Sequence, residues 1–198
     1  MAALAELEAE QVVVHRKEFD FTKEIDDSCN MNNDSLAQII AQDLIQMEHL
    51  DTVIIGTSQI TNLGPLSSEL VNLKYLSVRN SKIMRVDALF NLIHLVELYL
   101  PNNQIVNVSG LPVNLQKLDL QANYITDVGP LSGLINLVEL CLHGNQISDI
   151  RALSGLINLV EFDLNEIEIN GMEHTEIPTN IQNLFDNERK DDLDDDDY

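Results

Sequence analysis

The clearest structural signal in the sequence is Leu137-Val-Glu-Leu140-Cys-Leu142-His-Gly-Asn145-Gln-Ile147. Its leucines at the fourth and sixth positions alternate with other residues, as in a short strand with one buried face. Asn145 follows at the ninth position, where a side-chain amide can bond the backbone of a turn. The stretch therefore predicts a strand and a tight turn that are too short to fold alone.

The same pattern recurs along most of the chain. Copies begin at Leu50, Leu73, Leu95, Leu115, Leu137 and Leu159, and Ile177 to Leu184 repeats the layout of Leu111 to Leu118. A period of about 22 residues predicts a solenoid, in which stacked copies share one core. The last fragment predicts a seventh strand at Ile181.

Asparagine fills the ninth position only in the middle copies, at Asn103, Asn123 and Asn145. Because each amide can reach its own turn and the neighbouring one, these residues are expected to form a ladder. Ser58 and Ser81 are weaker substitutes, and Ile167 cannot bond at all. We therefore expect the ladder to fade at both ends of the array.

The return limb of each copy contains a short apolar segment, such as Gly64-Pro-Leu66 or Gly129-Pro-Leu131. Proline sets the backbone angle that the first turn of a helix requires. The return limbs are thus predicted to form short 3₁₀-like turns.

These motifs resemble leucine-rich repeats of the short type, similar to those of bacterial internalins and of the leucine-rich regulatory subunit of type 1 protein phosphatase. The resemblance implies a right-handed α/β solenoid, with a parallel sheet of about seven strands on the concave face and 3₁₀ turns on the convex face. It also implies a protein-binding scaffold. The alternative is a regulatory subunit of a protein phosphatase, and the two differ in whether phosphatase activity co-purifies.

The chain divides into three parts. Residues 50–186 hold about six and a half repeats, and residues 1–49 precede them with a helical pattern that begins at a capping box of Ser35 and Gln38. We interpret that helix as a cap on the first coil. Residues 187–198 form an acidic tail, expected to be disordered, that either keeps the last strand solvated or contacts a basic partner.

Composition limits the classes of partner. The chain has 33 acidic and 11 basic residues and a formal charge of −22, which disfavours binding to nucleic acid by phosphate neutralisation. A protein partner with a basic patch is expected instead.

Two observations concern location. The chain has no run of apolar residues long enough to span a bilayer, and its acidic start does not resemble a secretory signal. Its two cysteines, Cys29 and Cys141, suggest no disulfide framework. These features predict no membrane association and a cytoplasmic location, with the nucleus as the alternative.

Side chains at the third, fifth and seventh positions of each copy leave the strand on the concave face, and neighbouring strands lie about 4.8 Å apart. We predict that a partner binds there, on Tyr75, Arg79, Tyr99, Lys117, Asp119, Glu139, His143, Glu161 and Asp163.

The roles of two of these residues can be specified further. Lys117 either relieves the repulsion between Glu97 and Glu139 in its own column or contacts the partner. Arg79 is expected to lack an adjacent acid, and with Tyr75 and Tyr99 it has the composition of an interface anchor.

Catalysis is not predicted. Cys141 and His143 share the concave face, but two positions along a strand separate them by about 6.8 Å, and an open surface offers no oxyanion donors. A metal site of Cys141, His143 and Asp163 lacks a recognised ligand spacing. With no phosphate-binding loop either, we expect no enzyme activity, metal or cofactor.

Overall fold

The computed structural model of the protein describes residues 51–56, 60–163 and 177–184. Within them, six strands form one parallel sheet in the order of the sequence. The strands are β1 Thr52–Ile55, β2 Tyr75–Val78, β3 Glu97–Tyr99, β4 Lys117–Asp119, β5 Glu139–Cys141 and β6 Glu161–Asp163. Each begins two residues after a predicted repeat start, so the first six copies are confirmed.

The register of the sheet stacks equivalent repeat positions. Leu76 pairs with Leu98, Leu118 follows, and then Leu140 and Phe162 complete the row. All five side chains are buried, because this face of the strands covers the interior of the solenoid. Removal of leucine and isoleucine side chains from water is the main stabilising contribution to such a core.

The convex side carries short helices. They are α1 Gly64–Glu69 and the 3₁₀ helices Asp87–Asn91, Gly129–Gly133 and Arg151–Gly155. The 3₁₀ prediction is confirmed for three return limbs but not for the first, which is α-helical. There the amide of Leu70 reaches back to the carbonyl of Leu66, four residues earlier. The first limb therefore makes a full α-helical turn before the next strand.

The predicted strand at Ile181 is wrong, because residues 179–184 are helical. The prediction rested on the similarity of this segment to residues 111–118. There the amide of Gln116 donates to the carbonyl of Val96 in the preceding coil, at 2.8 Å. The equivalent amide of Gln182 instead donates back to Pro178, at 2.9 Å, which continues a helix. Ile181 remains fully buried, so this helix packs on the core without extending the sheet.

The asparagine ladder is confirmed. Asn123 donates from Nδ2 to the carbonyl oxygens of Leu100 and Leu120, at 3.0 and 2.9 Å, and its Oδ1 accepts from the amide of Ile105. Asn103 and Asn145 make equivalent bonds to their own and adjacent coils. Ser58 and Ile167, where the ladder was expected to fade, lie outside the described residues.

A second ladder runs along the opposite edge of the solenoid and was not predicted. Asn114, Asn136 and Asn158, each just before the first leucine of its copy, donate to backbone carbonyls of the preceding coil. These side chains are exposed, so each bond is expected to contribute less than the buried ladder.

In the four copies whose eighth position is described, that position has a left-handed backbone. Asn80, Asn102, Ala122 and Gly144 have φ angles of 50°, 55°, 51° and 67°. Asparagine and glycine tolerate this region, whereas alanine has a Cβ that is crowded by the following carbonyl. Ala122 is therefore the strained member of the row.

Replacing the strained residue should stabilise the fold. We expect Ala122→Gly to raise the free energy of unfolding by about 1 kcal/mol, because glycine adopts positive φ without steric conflict. Urea titration measures the change. The control is Ala88→Gly in the 3₁₀ helix, which should instead lower the free energy of unfolding; stabilisation by both variants would contradict the explanation.

The two predicted terminal segments cannot be compared with the structure. The N-terminal cap of residues 1–49 and the acidic tail of residues 187–198 lie outside the described residues. In the part of the chain that is described, no helix is long and apolar enough to cross a membrane.

Candidate functional site

The sheet places the predicted binding residues in adjacent columns on one face. Tyr75, Glu97, Lys117, Glu139 and Glu161 occupy successive register positions in one column. The next column contains Ser77, Tyr99, Asp119, Cys141 and Asp163. This is the arrangement that the third and fifth repeat positions predict. Two clusters with different chemistry result, one near β2 and β3 and the other near β5 and β6.

The first cluster is aromatic. The rings of Tyr75 and Tyr99 lie 5.2 Å apart between centroids and are tilted by 32°, within the range of favourable aromatic pairs. The hydroxyl of Tyr99 donates to Glu97 Oε2 at 3.0 Å. Burial, and then this bond to Glu97, raise the pKa of Tyr99 above its ordinary value. Tyr99 is therefore a neutral hydroxyl at physiological pH, with its ring held in place at both ends.

Arg79 lies beside this aromatic pair, just past the end of β2. Its Nε donates to Ser77 Oγ at 2.9 Å, and its side chain is exposed. Among residues 51–56, 60–163 and 177–184, no carboxylate forms an ion pair with it. The guanidinium is oriented by a neutral neighbour and can bind an external acceptor.

Lys117 lies between the two clusters and is paired. Its Nζ is 2.5 Å from Glu139 Oε1, and the hydrogen bond to Glu139 raises the pKa of Lys117. Lys117 thus offsets the repulsion within its column of acids, as the first of the two alternatives predicts. Glu139 and Lys117 are both about two-thirds covered, with 31% and 36% of their side chains exposed.

The second cluster corrects the sequence-based geometry. Cys141 Sγ lies 3.1 Å from His143 Nδ1 and 3.8 Å from Asp163 Oδ2, and His143 Nδ1 lies 2.9 Å from that same oxygen. The backbone spacing of about 6.8 Å along a strand does not limit side-chain separation here. β5 ends at Cys141, so the chain is already turning at His143 and the two side chains lean together.

The thiol in this cluster is not activated. Burial, followed by the negative charges of Asp119 and Asp163, raises the pKa of the Cys141 thiol to about 12. A nucleophilic cysteine requires a lowered pKa. A thiol with this pKa is almost entirely protonated at neutral pH and is not poised as a nucleophile.

The other predicted residues take supporting positions. Asp119 accepts a hydrogen bond from the amide of Gln121 at 2.9 Å and stands next to Cys141 in its column. Glu161 is exposed at the edge of the described sheet, in register with Glu139. All nine predicted residues therefore lie on the concave surface, although they were predicted as one site.

Sequence comparison identifies the repeat. A family model described as "Leucine Rich repeats (2 copies)" matches residues 113–153, which span β4, β5 and the turns between them. The chain therefore resembles leucine-rich repeat proteins, and its described part has their solenoid fold. No curated protein sequence matches the chain significantly.

Solved structures with similar leucine-rich repeats include internalins. The internalin inlF of Listeria monocytogenes is 28% identical with a TM-score of 0.57, and the match covers 64% of this chain and 37% of that one. The internalin inlC2 of the same species is 28% identical with a TM-score of 0.55, covering 71% and 70%. A leucine-rich repeat protein of Leptospira interrogans is 26% identical with a TM-score of 0.58, covering 72% and 37%.

These relatives resemble the chain in its repeats. The match to this chain spans only 37% of the length of inlF and 37% of the length of the Leptospira protein. The shared solenoid has an extended concave surface, which repeat proteins generally use for protein–protein contacts.

The leucine-rich repeats also expose an apolar column that sequence reasoning missed. It occupies the position two residues before each of the five repeat starts from Leu73 to Leu159, and its members are 47% to 75% exposed. They are Val71, Ile93, Val113, Ile135 and Ile157. The signal was available in the sequence, since the position is β-branched in every one of these copies.

Proposed function

We propose that this leucine-rich repeat protein is an interaction scaffold that binds a partner protein on its concave face. The observation that carries the proposal is the cluster of Tyr75, Tyr99 and the exposed Arg79. Tyrosine and arginine are enriched among the residues that dominate binding energy. Here they stand together on a rigid sheet.

Preorganisation supports this assignment. The two tyrosine rings are packed against each other, and Glu97 holds the hydroxyl of Tyr99. A partner would therefore meet side chains that have already lost much of their conformational freedom, which lowers the entropy cost of association.

The charges on the surface define the chemistry of the partner. Arg79 should bind a carboxylate or a backbone carbonyl of the partner, because guanidinium groups donate to planar acceptors of this kind. Glu139, Glu161 and Asp163 form an acidic flank on the other half of the face. We infer a protein partner that presents an acidic or carbonyl-rich spot beside a basic patch.

A regulatory subunit of a protein phosphatase is the alternative function, and it uses the same surface. Phosphatase activity in material purified with the native protein would favour it over a scaffold without enzymatic partners. A cytoplasmic or nuclear location is part of either proposal, and the unpaired thiol of Cys141 is compatible with a reducing compartment.

The test begins with affinity purification from native extract and mass spectrometry to identify the partner. We expect Arg79→Ala and Tyr99→Ala each to weaken its binding by about 1–3 kcal/mol, because both remove anchor contacts. Titration calorimetry measures the effect.

The matched control is Arg151→Ala on the convex side. Arg151 is an exposed arginine paired with Asp149 at 2.5 Å, and surface pairs of this kind contribute little. Its loss should leave affinity nearly unchanged. If Arg151→Ala weakened binding more than Arg79→Ala, the site would lie on the convex face.

A further inference from the structure

Three side chains with donor atoms of different kinds converge at the C-terminal end of the concave face. The thiol of Cys141, the imidazole of His143 and the carboxylate of Asp163 offer ligand atoms that all lie within 4.8 Å of one another. Each residue is half-buried. We propose that these residues form a binding site for one zinc ion.

The separations suit a small tetrahedral ion. Zinc lies about 2.0–2.3 Å from nitrogen, oxygen and sulfur ligands, so tetrahedral ligands must be roughly 3.3–3.7 Å apart. The observed separations are 3.1 Å for sulfur to nitrogen, 3.8 Å for sulfur to oxygen and 2.9 Å for nitrogen to oxygen. Shifts of a few tenths of an ångström in the ligand atoms are enough to bring all three into range.

The set of donors selects the metal. Thiolate and imidazole ligands favour zinc and other borderline or soft ions, whereas magnesium and calcium require oxygen ligands. Three protein ligands leave a fourth position, which faces the open concave surface and can be taken by water. The negative charge of Asp119, beside Cys141 in the column, adds to the attraction for a cation.

The fold holds the three ligands from both sides. The amide of Leu142 donates to the carbonyl of Asp163 at 3.1 Å, and the carbonyl of His143 accepts from the amide of Ala122 at 2.9 Å. The backbone that carries Cys141 and His143 is thus bonded to the coil before it and the coil after it. A site on such a rigid support needs little ordering when the ion binds.

Binding involves a simple exchange. The S–H bond of Cys141 breaks, the proton leaves to solvent, and the sulfur forms a bond to zinc in its place. The imidazole and the carboxylate exchange their mutual contact for bonds to the ion. No electron transfer and no further reactant are required.

The experiment uses the full chain after removal of bound metal, with Cys29→Ser as the background so that Cys141 is the sole thiol. Zinc is titrated against a chromophoric chelator, and cobalt is added separately to record the sulfur-to-metal charge-transfer band. We expect one zinc per chain and a charge-transfer band. Introducing Cys141→Ser should abolish the band and weaken zinc binding at least about 100-fold, more than the loss of an outer-shell group.

Two further variants test whether zinc is bound by these three ligands or by other acidic groups nearby. His143→Gln should also weaken zinc binding strongly, and it provides the test if Cys141→Ser fails to fold as judged by circular dichroism. Asp119→Asn keeps all three ligands and removes only a neighbouring charge, so it should weaken zinc binding by about 10-fold at most, the lower end of the range for groups outside the ligand set. Zinc binding that is equal in the background, Cys141→Ser and His143→Gln proteins would overturn the proposal, because the ion would then be held by other acidic groups.

Discussion

Asn123→Ala is expected to lower the free energy of unfolding by about 3 kcal/mol. Asn123 is buried, and its amide joins two adjacent coils through the carbonyls of Leu100 and Leu120. Alanine would remove one of the two asparagine donors to each of those carbonyls and would leave the buried amide of Ile105 without its acceptor. Unsatisfied buried groups are costly because water cannot replace the lost bonds. Urea titration of the full chain measures the loss.

Two controls test whether burial and bond number set the effect. Ser81→Ala removes a hydroxyl that contacts Arg79 O at 3.0 Å and only weakly Gly56 O at 3.5 Å. Asn114→Ala removes a single exposed bond to Ile93. Each should reduce stability by about 1 kcal/mol or less. Losses of equal size at all three positions would contradict the role assigned to the buried ladder.

Gly110→Ala is also expected to destabilise the fold by about 3 kcal/mol. Gly110 has a φ of 83°, which an L-residue with a side chain rarely adopts. A Cβ added there would lie 2.8 Å from the Cα of Asp87 and 3.1 Å from its carbonyl oxygen. Both are backbone atoms of the preceding coil, so no side-chain rotation relieves the contact. Thermal and urea unfolding should both report the loss.

Gly110 lies in the shortest copy of the repeat. The copy from Leu95 to Leu115 is two residues shorter than the copies on either side of it, and its return limb holds Gly110 against Asp87 of the preceding coil. Gly133→Ala is the matched control, because Gly133 has no atom within 4 Å of an added Cβ. That variant should be neutral or slightly stabilising. A loss at Gly133 comparable to that at Gly110 would mean that close packing is not the cause.

Periodicity was sufficient to place most of the sheet. Because side chains alternate along a strand, the spacing of Leu137, Leu140 and Leu142 already decides which face is buried. Stacking identical copies then makes the register follow from the repeat itself. This is why the columns containing Tyr75, Tyr99 and Asp163 were correct residue by residue.

Periodicity did not predict the structure of the last segment, where the strand expected at Ile181 is a helix. Ile177 to Leu184 has the residues of a repeat start, but a strand forms only if its amides find acceptors in an adjacent strand. In the structure the amide of Gln182 bonds within its own segment, and the result is a helix. Local sequence similarity could not reveal which partner the amide would find.

The amino-acid sequence alone specifies the solenoid, its six described strands, the buried asparagine ladder and the identity of the residues on the concave face. These properties follow from side-chain spacing and local bonding, which are encoded within each copy. Tertiary contacts bring Cys141, His143 and Asp163 together, pair Lys117 with Glu139, and give Ala122 and Gly110 left-handed backbones. Distances between side-chain ends depend on rotamers and on the turn after each strand, and the repeat pattern specifies neither.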